Sequence, residues 1–244
     1  MDIIEINIPA FDENENLQLL IPQILEEVKR YQNFTFRVKV IVRNDEPQTT
    51  LDLLDDLGVQ GIRRQPDNSF GSAISTGIAT ISNVSTFVIF MDADGSHQPD
   101  SIIRLVNEAK RTDADIVIAS RYINGGKTEN SMVLKLMSKI LNKIFSLTLG
   151  IGCKDVSTNF KIYKSDLVRD IELLCKNFDV VEELLLKVKI KSGSNFSFVE
   201  IPDHFQQRKF GESKRKLSVF ILSYIVTLAK LRVLSSHENR NRRR

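Results

Sequence analysis

The feature that most constrains this chain is a repeated alternation of short apolar runs with helical patterns over its first 120 residues. Residues 3–8, 36–42, 59–63, 86–91 and 115–119 are short and rich in β-branched side chains, as strands of a buried sheet are. Between the first two, Leu17, Leu20, Ile21, Ile24, Leu25 and Val28 recur at helical spacing, with Asn14 or Asn16 placed to cap. Residues 51–57, 73–81 and 99–110 also read as helices. Parallel strands need a crossover long enough to hold a helix, so this alternation predicts an α/β fold with a mostly parallel central sheet flanked by helices. Ligands of such sheets bind beyond the carboxyl ends of the strands. That rule puts residues 9–13, 44–47 and 92–96 on one rim.

Past residue 125 the alternation loosens. Residues 132–149 are apolar with Lys135, Lys139 and Lys143 every four residues, which predicts a helix with one basic face. Residues 160–163 and 196–201 read as strands, Pro202 ending the second, and residues 179–191 as a helix. There is no linker or internal repeat, so one domain with an elaborated second half is expected. A hydrophobic content of 42% over 244 residues supplies its core. Two cysteines, Cys153 and Cys175, are too few for a disulfide scaffold or a four-cysteine zinc site.

Net charge is only +3, but residues 208–244 hold 11 Lys and Arg against Glu212 and Glu238. That asymmetry favours phosphate groups or an anionic membrane surface as partners. The most lipid-like stretch, residues 217–229, is 13 residues long. A spanning helix needs roughly 18 or more. The first residues lack a secretory pattern. The expected location is cytoplasmic, with at most a peripheral attachment to the cytoplasmic face of a membrane.

Several chemistries lose their support. No G-x-G-x-x-G follows the first strand, and no G-x-x-x-x-G-K-[ST], G-x-S-x-G, H-E-x-x-H or C-x-x-C occurs. His97, His204 and His237 are far apart and read as surface or packing residues rather than metal ligands. With no Trp and 7% aromatics, single-strand nucleic-acid stacking is not favoured, and no nucleic-acid partner is expected.

Three segments carry positive signals. Asp92-Ala93-Asp94 follows a buried strand, so both carboxylates can turn to one rim, where they repel unless a cation lies between them. A hard divalent ion, Mg²⁺ or Mn²⁺, suits such oxygens and would also hold a diphosphate. The plain alternative is a turn in which the aspartates cap the helix opening at Pro99. Arg208-Lys209-Phe210-Gly211-Glu212-Ser213-Lys214 is a basic loop whose glycine lets backbone amides approach phosphate. Arg121 stands at a strand end ahead of Gly125-Gly126. Together they describe a nucleotide-phosphate enzyme with its reaction open.

In this order these segments resemble the family 2 glycosyltransferases of GT-A fold, in the branch of dolichol-phosphate mannose synthase and polyprenyl-phosphate glycosyltransferases. The resemblance spans about residues 3–217. Residues 8–17, IPAFDENENL, are similar to that branch's P-x-Y-N-E-x-E-N-L. Residues 92–99, DADGSHQP, are similar to D-A-D-x-Q-H-P-P, and Ser120-Arg121-Tyr122 with Gly125-Gly126 to S-R-Y-x-x-G-G. Residues 155–161, DVSTNFK, are similar to D-x-T-S-G-F-[RK], and Arg208 with Gly211-Glu212-Ser213-Lys214 to R-x-x-G-E-S-K. Departures are Asn44-Asp45-Glu46 in place of D-D-G-S, Ser96 where the branch has a metal-binding Gln, Ser69 where a glycine is expected, and Thr158-Asn159 for Ser-Gly.

The resemblance implies a Rossmann-like nucleotide-sugar fold, with residues 1–214 as the catalytic domain. In residues 215–244, an amphipathic helix and basic tail, Val219, Phe220, Leu222, Ile225, Val226 and residues 228–231 are spaced to form an apolar helix face flanked by basic groups, which either lies in the membrane interface or packs on the core. The resemblance also implies that Pro9, Phe11, Glu13 and Asp45 face the nucleoside. Asp92, Ala93 and Asp94 would meet ribose and metal, Asp94 as the principal ligand. Arg121, Arg208, Ser213 and Lys214 would contact the sugar diphosphate or the acceptor phosphate. The implied reaction is inverting transfer from a GDP-mannose- or UDP-glucose-type donor to a polyprenyl or dolichyl phosphate. A saccharide acceptor would instead require a base, with Asp155 and Glu182 as candidates. The rival readings are surface polysaccharide assembly, a nucleotidyltransferase, and an inactive nucleotide-sugar-binding module, which the departures at Ser69 and Ser96 motivate. A membrane partner protein is a further expectation.

Overall fold

A computed structural model describes residues 1–208 and Phe210. Strands β1 (Asp2–Pro9), β2 (Phe34–Val42), β3 (Gln60–Arg63) and β4 (Phe87–Phe90) alternate with helices α1 (Asn14–Lys29), α2 (Gln48–Asp56) and α3 (Phe70–Ala79). Then come α4 (Asp100–Thr112), β5 (Ile116–Ser120), β6 (Lys127–Thr128), α5 (Met132–Leu149), β7 (Lys161–Lys164), α6 (Ser165–Val168), α7 (Val180–Ser192), β8 (Phe198–Pro202) and β9 (His204–Phe205). The main sheet has the order β3-β2-β1-β4-β7-β5-β8, and β6 pairs with β9 in a small second sheet. All neighbours in the main sheet are parallel except β7, which runs antiparallel to both β4 and β5. The mostly parallel α/β sheet expected from the sequence is therefore present.

Period-two alternation explains how the sheet is buried on both faces. Ile4, Ile6 and Ile8 of β1 and Ile89 of β4 pack with α1, α2 and α4. Val88 and Phe90 of β4 and Ile116 and Ile118 of β5 pack with α3, α5 and α7. Helix ends follow local chemistry. Ser69 and Ser131 accept from the Ser72 and Leu134 amides to cap α3 and α5, and Gly150 closes α5 in the left-handed region at φ 62°. Because Ser69 sits at an ordinary extended φ of −68°, no glycine is required there. Gly71 is different: a Cβ on it would lie 2.1 Å from the Cys175 carbonyl oxygen.

The start of α1 differs from expectation. Glu13 is its N-cap and makes no side-chain cap bond, while Asn14 and Asn16 lie inside the first turn. Asp12 in the left-handed region, φ 53°, ends the loop one residue earlier than a cap at Asn14 would need. The antiparallel sense of β7 has a cause in the preceding loop. Asp155 is held at the end of β5 by Arg121 and Asn159 at the end of β4 by Asp92. The strand that follows must start at the rim and run away from it. The expected helix and tail at 215–244 lie outside the described residues.

Candidate active site

The carboxyl ends of β1, β2 and β4 form one rim, as neighbouring parallel strands must. At its outer end Phe11, half-buried beyond β1, lies under two guanidinium groups, Arg43 at 5.3 Å and Arg64 at 5.7 Å from the ring centre. Arg43 forks onto Asp45 at 2.9 and 2.8 Å and reaches Asp12 at 2.6 Å. The fork from Arg43, with one bond from Asn68, holds the Asp45 carboxyl well below the usual range. Arg64 is buried and donates to the carbonyls of Ala10, Ile41, Val42, Asn68 and Ser69, tying the ends of β1 and β2 to the start of α3. Burial pushes its guanidinium down to about 10 against the pull of Glu46 and Asp12. Pro9 is buried as the last residue of β1, where it directs the chain toward Phe11.

The centre of the rim holds the carboxylates. Asp94 Oδ2 accepts from Arg208 at 3.1 Å, and the same arginine nitrogen reaches Glu13 Oε1 at 3.4 Å. The other Glu13 oxygen accepts from Asn16 at 2.6 Å. Asp94 Oδ1 accepts from the Ser96 amide at 3.0 Å, a two-residue turn that fixes the loop. Ala93 is buried between the two aspartates. Asp92 accepts from Asn159 at 3.1 Å and faces His97 Nε2 at 3.5 Å. The other His97 nitrogen meets Asp203 at 3.3 Å, and the ring packs on Phe160 and Phe205. Burial works against the charged imidazole, but Asp203 and Asp92 outweigh it and raise it to about 9.

A second centre lies at the end of β5. Arg121 donates from Nε and Nη2 to the two oxygens of Asp155, at 2.8 and 2.7 Å, and its backbone amide adds a third bond at 2.8 Å. Asp155 is fully buried. Its opposite charge raises the Arg121 guanidinium although burial opposes it. Close packing shapes this corner: a Cβ on Gly126 would lie 2.5 Å from the Ser120 carbonyl oxygen. Phe205 joins the two centres, with Arg121 5.3 Å and His97 5.3 Å from its ring. Glu182, in the first turn of α7, is fully buried, and its charge acts on buried Lys161 and Tyr163.

Glu13, Asp94 and Arg208 thus converge, Asp92 stands beside them, and Phe11 with Asp45 marks the outer end. Arg121 with Asp155 forms the inner end, while Glu182 sits behind the rim in the core. Ser213 and Lys214 lie outside the described residues. Sequence reasoning passed over Arg43 and Arg64, and gave His97 and Asn159 no role in the site. Arg43 and Arg64 directly follow β2 and β3, so the strand-end rule that selects Asp92 and Arg121 selects them as well. His97 read as a packing residue because its partner Asp203 is 106 positions away.

A divalent ion suits the donors present. Asp92 and Asp94 offer hard oxygens, and the buried Ser96 hydroxyl has no hydrogen-bond partner among the described residues. Those residues include no cluster of three or more His, Cys, Asp or Glu side chains that could hold an ion unaided. Ligand oxygens would therefore have to complete a metal's shell.

The sequence profile named "Glycosyl transferase family 2" matches residues 5–172. The chain belongs to glycosyl transferase family 2. Among family 2 relatives, the dolichol-phosphate mannosyltransferase of Pyrococcus furiosus is 33% identical over 220 residues, 87% of this chain. The chain spans only 59% of that protein's length. The polyprenol monophosphomannose synthase of Mycolicibacterium smegmatis is 29% identical over 85% of this chain and 78% of its own. The fold is also that of glucosyl-3-phosphoglycerate synthase from Mycobacterium tuberculosis, crystallised with Mn²⁺, UDP-glucose and phosphoglyceric acid. The TM-score is 0.69 at 15% identity, over 95% of this chain and 80% of that one. The family 2 fold here is GT-A. No helix among the described residues is long and apolar enough to cross a membrane.

Proposed function

We propose that this family 2 enzyme transfers a hexosyl group from a nucleoside diphosphate sugar to a polyprenyl phosphate, with inversion at the anomeric carbon. The observation that carries the reading is the convergence of Arg208 with Asp94 at 3.1 Å and Glu13 at 3.4 Å on the rim of a GT-A sheet. An arginine between carboxylates can exchange them for diphosphate oxygens. Phe11 under Arg43 and Arg64 makes a flat, cationic platform for the nucleoside. Asp94 and Asp92 would hold Mg²⁺ or Mn²⁺, which supplies Lewis-acid stabilisation of charge on the leaving diphosphate.

Bond changes are simple. The bond from C1 to the diphosphate oxygen breaks and its electron pair stays on the diphosphate, where Arg208 meets the developing charge. A phosphate oxygen of the acceptor forms the new bond to C1 from the opposite face. That oxygen is already ionised, so no proton has to be removed. The state of the two candidate bases agrees with this: Asp155 is consumed by Arg121 and Glu182 is enclosed in the core. The names of the curated relatives support the lipid acceptor and a mannosyl donor.

Transfer of labelled sugar from GDP-mannose, UDP-glucose and UDP-N-acetylglucosamine to polyprenyl phosphate in detergent, with Mg²⁺ or Mn²⁺, tests the reading. Metal-dependent label in the organic phase is expected from one donor, and Asp94→Ala should lower it roughly 10³-fold or more. Donor hydrolysis without lipid label would overturn the acceptor assignment. Near-normal turnover by Asp94→Ala would overturn the site.

A further inference from the structure

Between α5 and β7, residues 151–160 form neither helix nor strand, yet Asp155, Val156, Thr158 and Asn159 are buried. Buried backbone needs hydrogen-bond partners, and in this segment side chains supply them. Glu200 of β8 accepts from the Lys154 and Asp155 amides at 3.0 and 3.1 Å. Asn142 of α5 accepts from the Ser157 amide at 2.9 Å. Lys161, at the start of β7, donates to the Val156 carbonyl at 3.0 Å and to the Thr158 carbonyl. Lys161 is itself fully buried, and both of its hydrogen bonds go to these two carbonyls. An ammonium is a costly way to fill core space, so an apolar side chain would serve packing alone better. What the lysine adds is a group of three donors on a flexible stem, able to hold two carbonyls at once.

The side chains of the segment show what the clamp is for. Asp155 accepts from Arg121 at 2.8 and 2.7 Å, and Ser157 accepts from the same guanidinium at 3.1 Å. Asn159 donates to Asp92 at 3.1 Å. One short segment thus touches both the inner end of the rim and its centre. Asp155, Ser157 and Asn159 alternate with Val156 and Thr158, whose carbonyls Lys161 holds. Rotation of either gripped peptide would swing the side chains next to it away from Arg121 or Asp92.

We infer that Lys161 is a positioning residue, which sets Asp92 and Arg121 relative to each other through the peptides of Val156 and Thr158. The inference rests on the proposed reaction, with Asp92 on the metal side and Arg121 on the acceptor side. Two measurements on the full chain test it. Mn²⁺ binding, followed by loss of the free-ion signal in electron paramagnetic resonance without donor or acceptor, reads the Asp92 side and needs no turnover. The KM for polyprenyl phosphate in the transfer assay reads the Arg121 side. Failure of the reaction is thereby told apart from failure of the clamp, because the Mn²⁺ measurement stands without it.

Asn159→Ala cuts only the tie to Asp92 and should weaken Mn²⁺ binding roughly tenfold with the acceptor KM little changed. Ser157→Ala should raise the acceptor KM about threefold and leave Mn²⁺ binding alone. Lys161→Met keeps the stem without the donors and should show both changes, each roughly tenfold, and Lys161→Arg should recover part of each. A lysine needed only for stability would instead lower the melting temperature and the active fraction. That reduces the apparent kcat but moves neither constant of the molecules that remain folded. Mn²⁺ affinity and acceptor KM both within about twofold of wild type in Lys161→Met would overturn the inference, and so would a change in only one of them. Where Lys161→Met does not fold, Lys161→Gln, which retains one donor group, carries the same expectation at smaller size and the same refutation. Absence of Mn²⁺ binding by the wild type would overturn the metal assignment and the inference together.

Discussion

Replacing Asp155 by Asn tests the inner end of the site. The Arg121 side chain is 9% exposed and Asp155 is not exposed at all, and three bonds of 2.7–2.8 Å join them. Asparagine keeps the shape but removes the charge and turns a donor toward a donor. Breaking a buried pair from one side costs about 3–5 kcal/mol, because the remaining charge is left uncompensated. Ser157 still accepts from Arg121 at 3.1 Å, which favours the lower end, about 3 kcal/mol. Urea slopes for small proteins are about 1–3 kcal/mol/M and rise with size, so the midpoint should fall by about 1–2 M. Removing both charges, as Arg121→Met/Asp155→Leu, should recover most of the loss, since apolar replacements of a buried pair are often close to neutral. A loss under about 1 kcal/mol for Asp155→Asn, or a double variant no more stable than the single, would refute the reasoning.

Three other outcomes are expected. Arg208→Ala removes the cation bonded to Asp94 and should lower kcat by roughly 10²-fold, with Arg208→Lys intermediate, in steady-state transfer assays. Arg43→Ala leaves Asp12 and Asp45 unneutralised beside Phe11 and should raise the donor KM about tenfold with little change in kcat. His97 is raised to about 9 from 6.5, so its stabilisation is fully present below pH 6.5 and is lost as pH rises through 9. Urea unfolding in EDTA-containing buffer should show this as a decline of at most about 3 kcal/mol across that window, which His97→Gln flattens.

The sites differ in how far they could be read from residues alone. Asp92, Asp94 and Arg121 were legible because each follows a run of buried strand residues, and parallel neighbours place such ends on one rim. Arg43 and Arg64 satisfy the same rule but lack a motif to draw attention to them. His97 was not legible, because its meaning comes from Asp203 and Phe205, which return to it only through the pairing of β9 with β6. Asp155 and Glu182 carry the right chemistry for a base, but their availability depends on burial, and burial is a property of the whole packed molecule.

Short-range forces act between residues that are close in the chain, and their effects can be read from residue order. The alternation of Ile4, Ile6 and Ile8, the helical spacing from Leu17 to Val28, and the Ser131 and Gly150 boundaries of α5 are set by side chains a few positions apart. Tertiary structure decided what depends on distant partners. It inserted β7 between β4 and β5 against the direction of its neighbours, locked Asp155 onto Arg121 and turned the apolar side of α5 outward. Those outcomes compare the free energies of whole arrangements, in which a carboxylate is paired or unpaired and a methyl group buried or wet. Residue order within a short window does not contain that comparison.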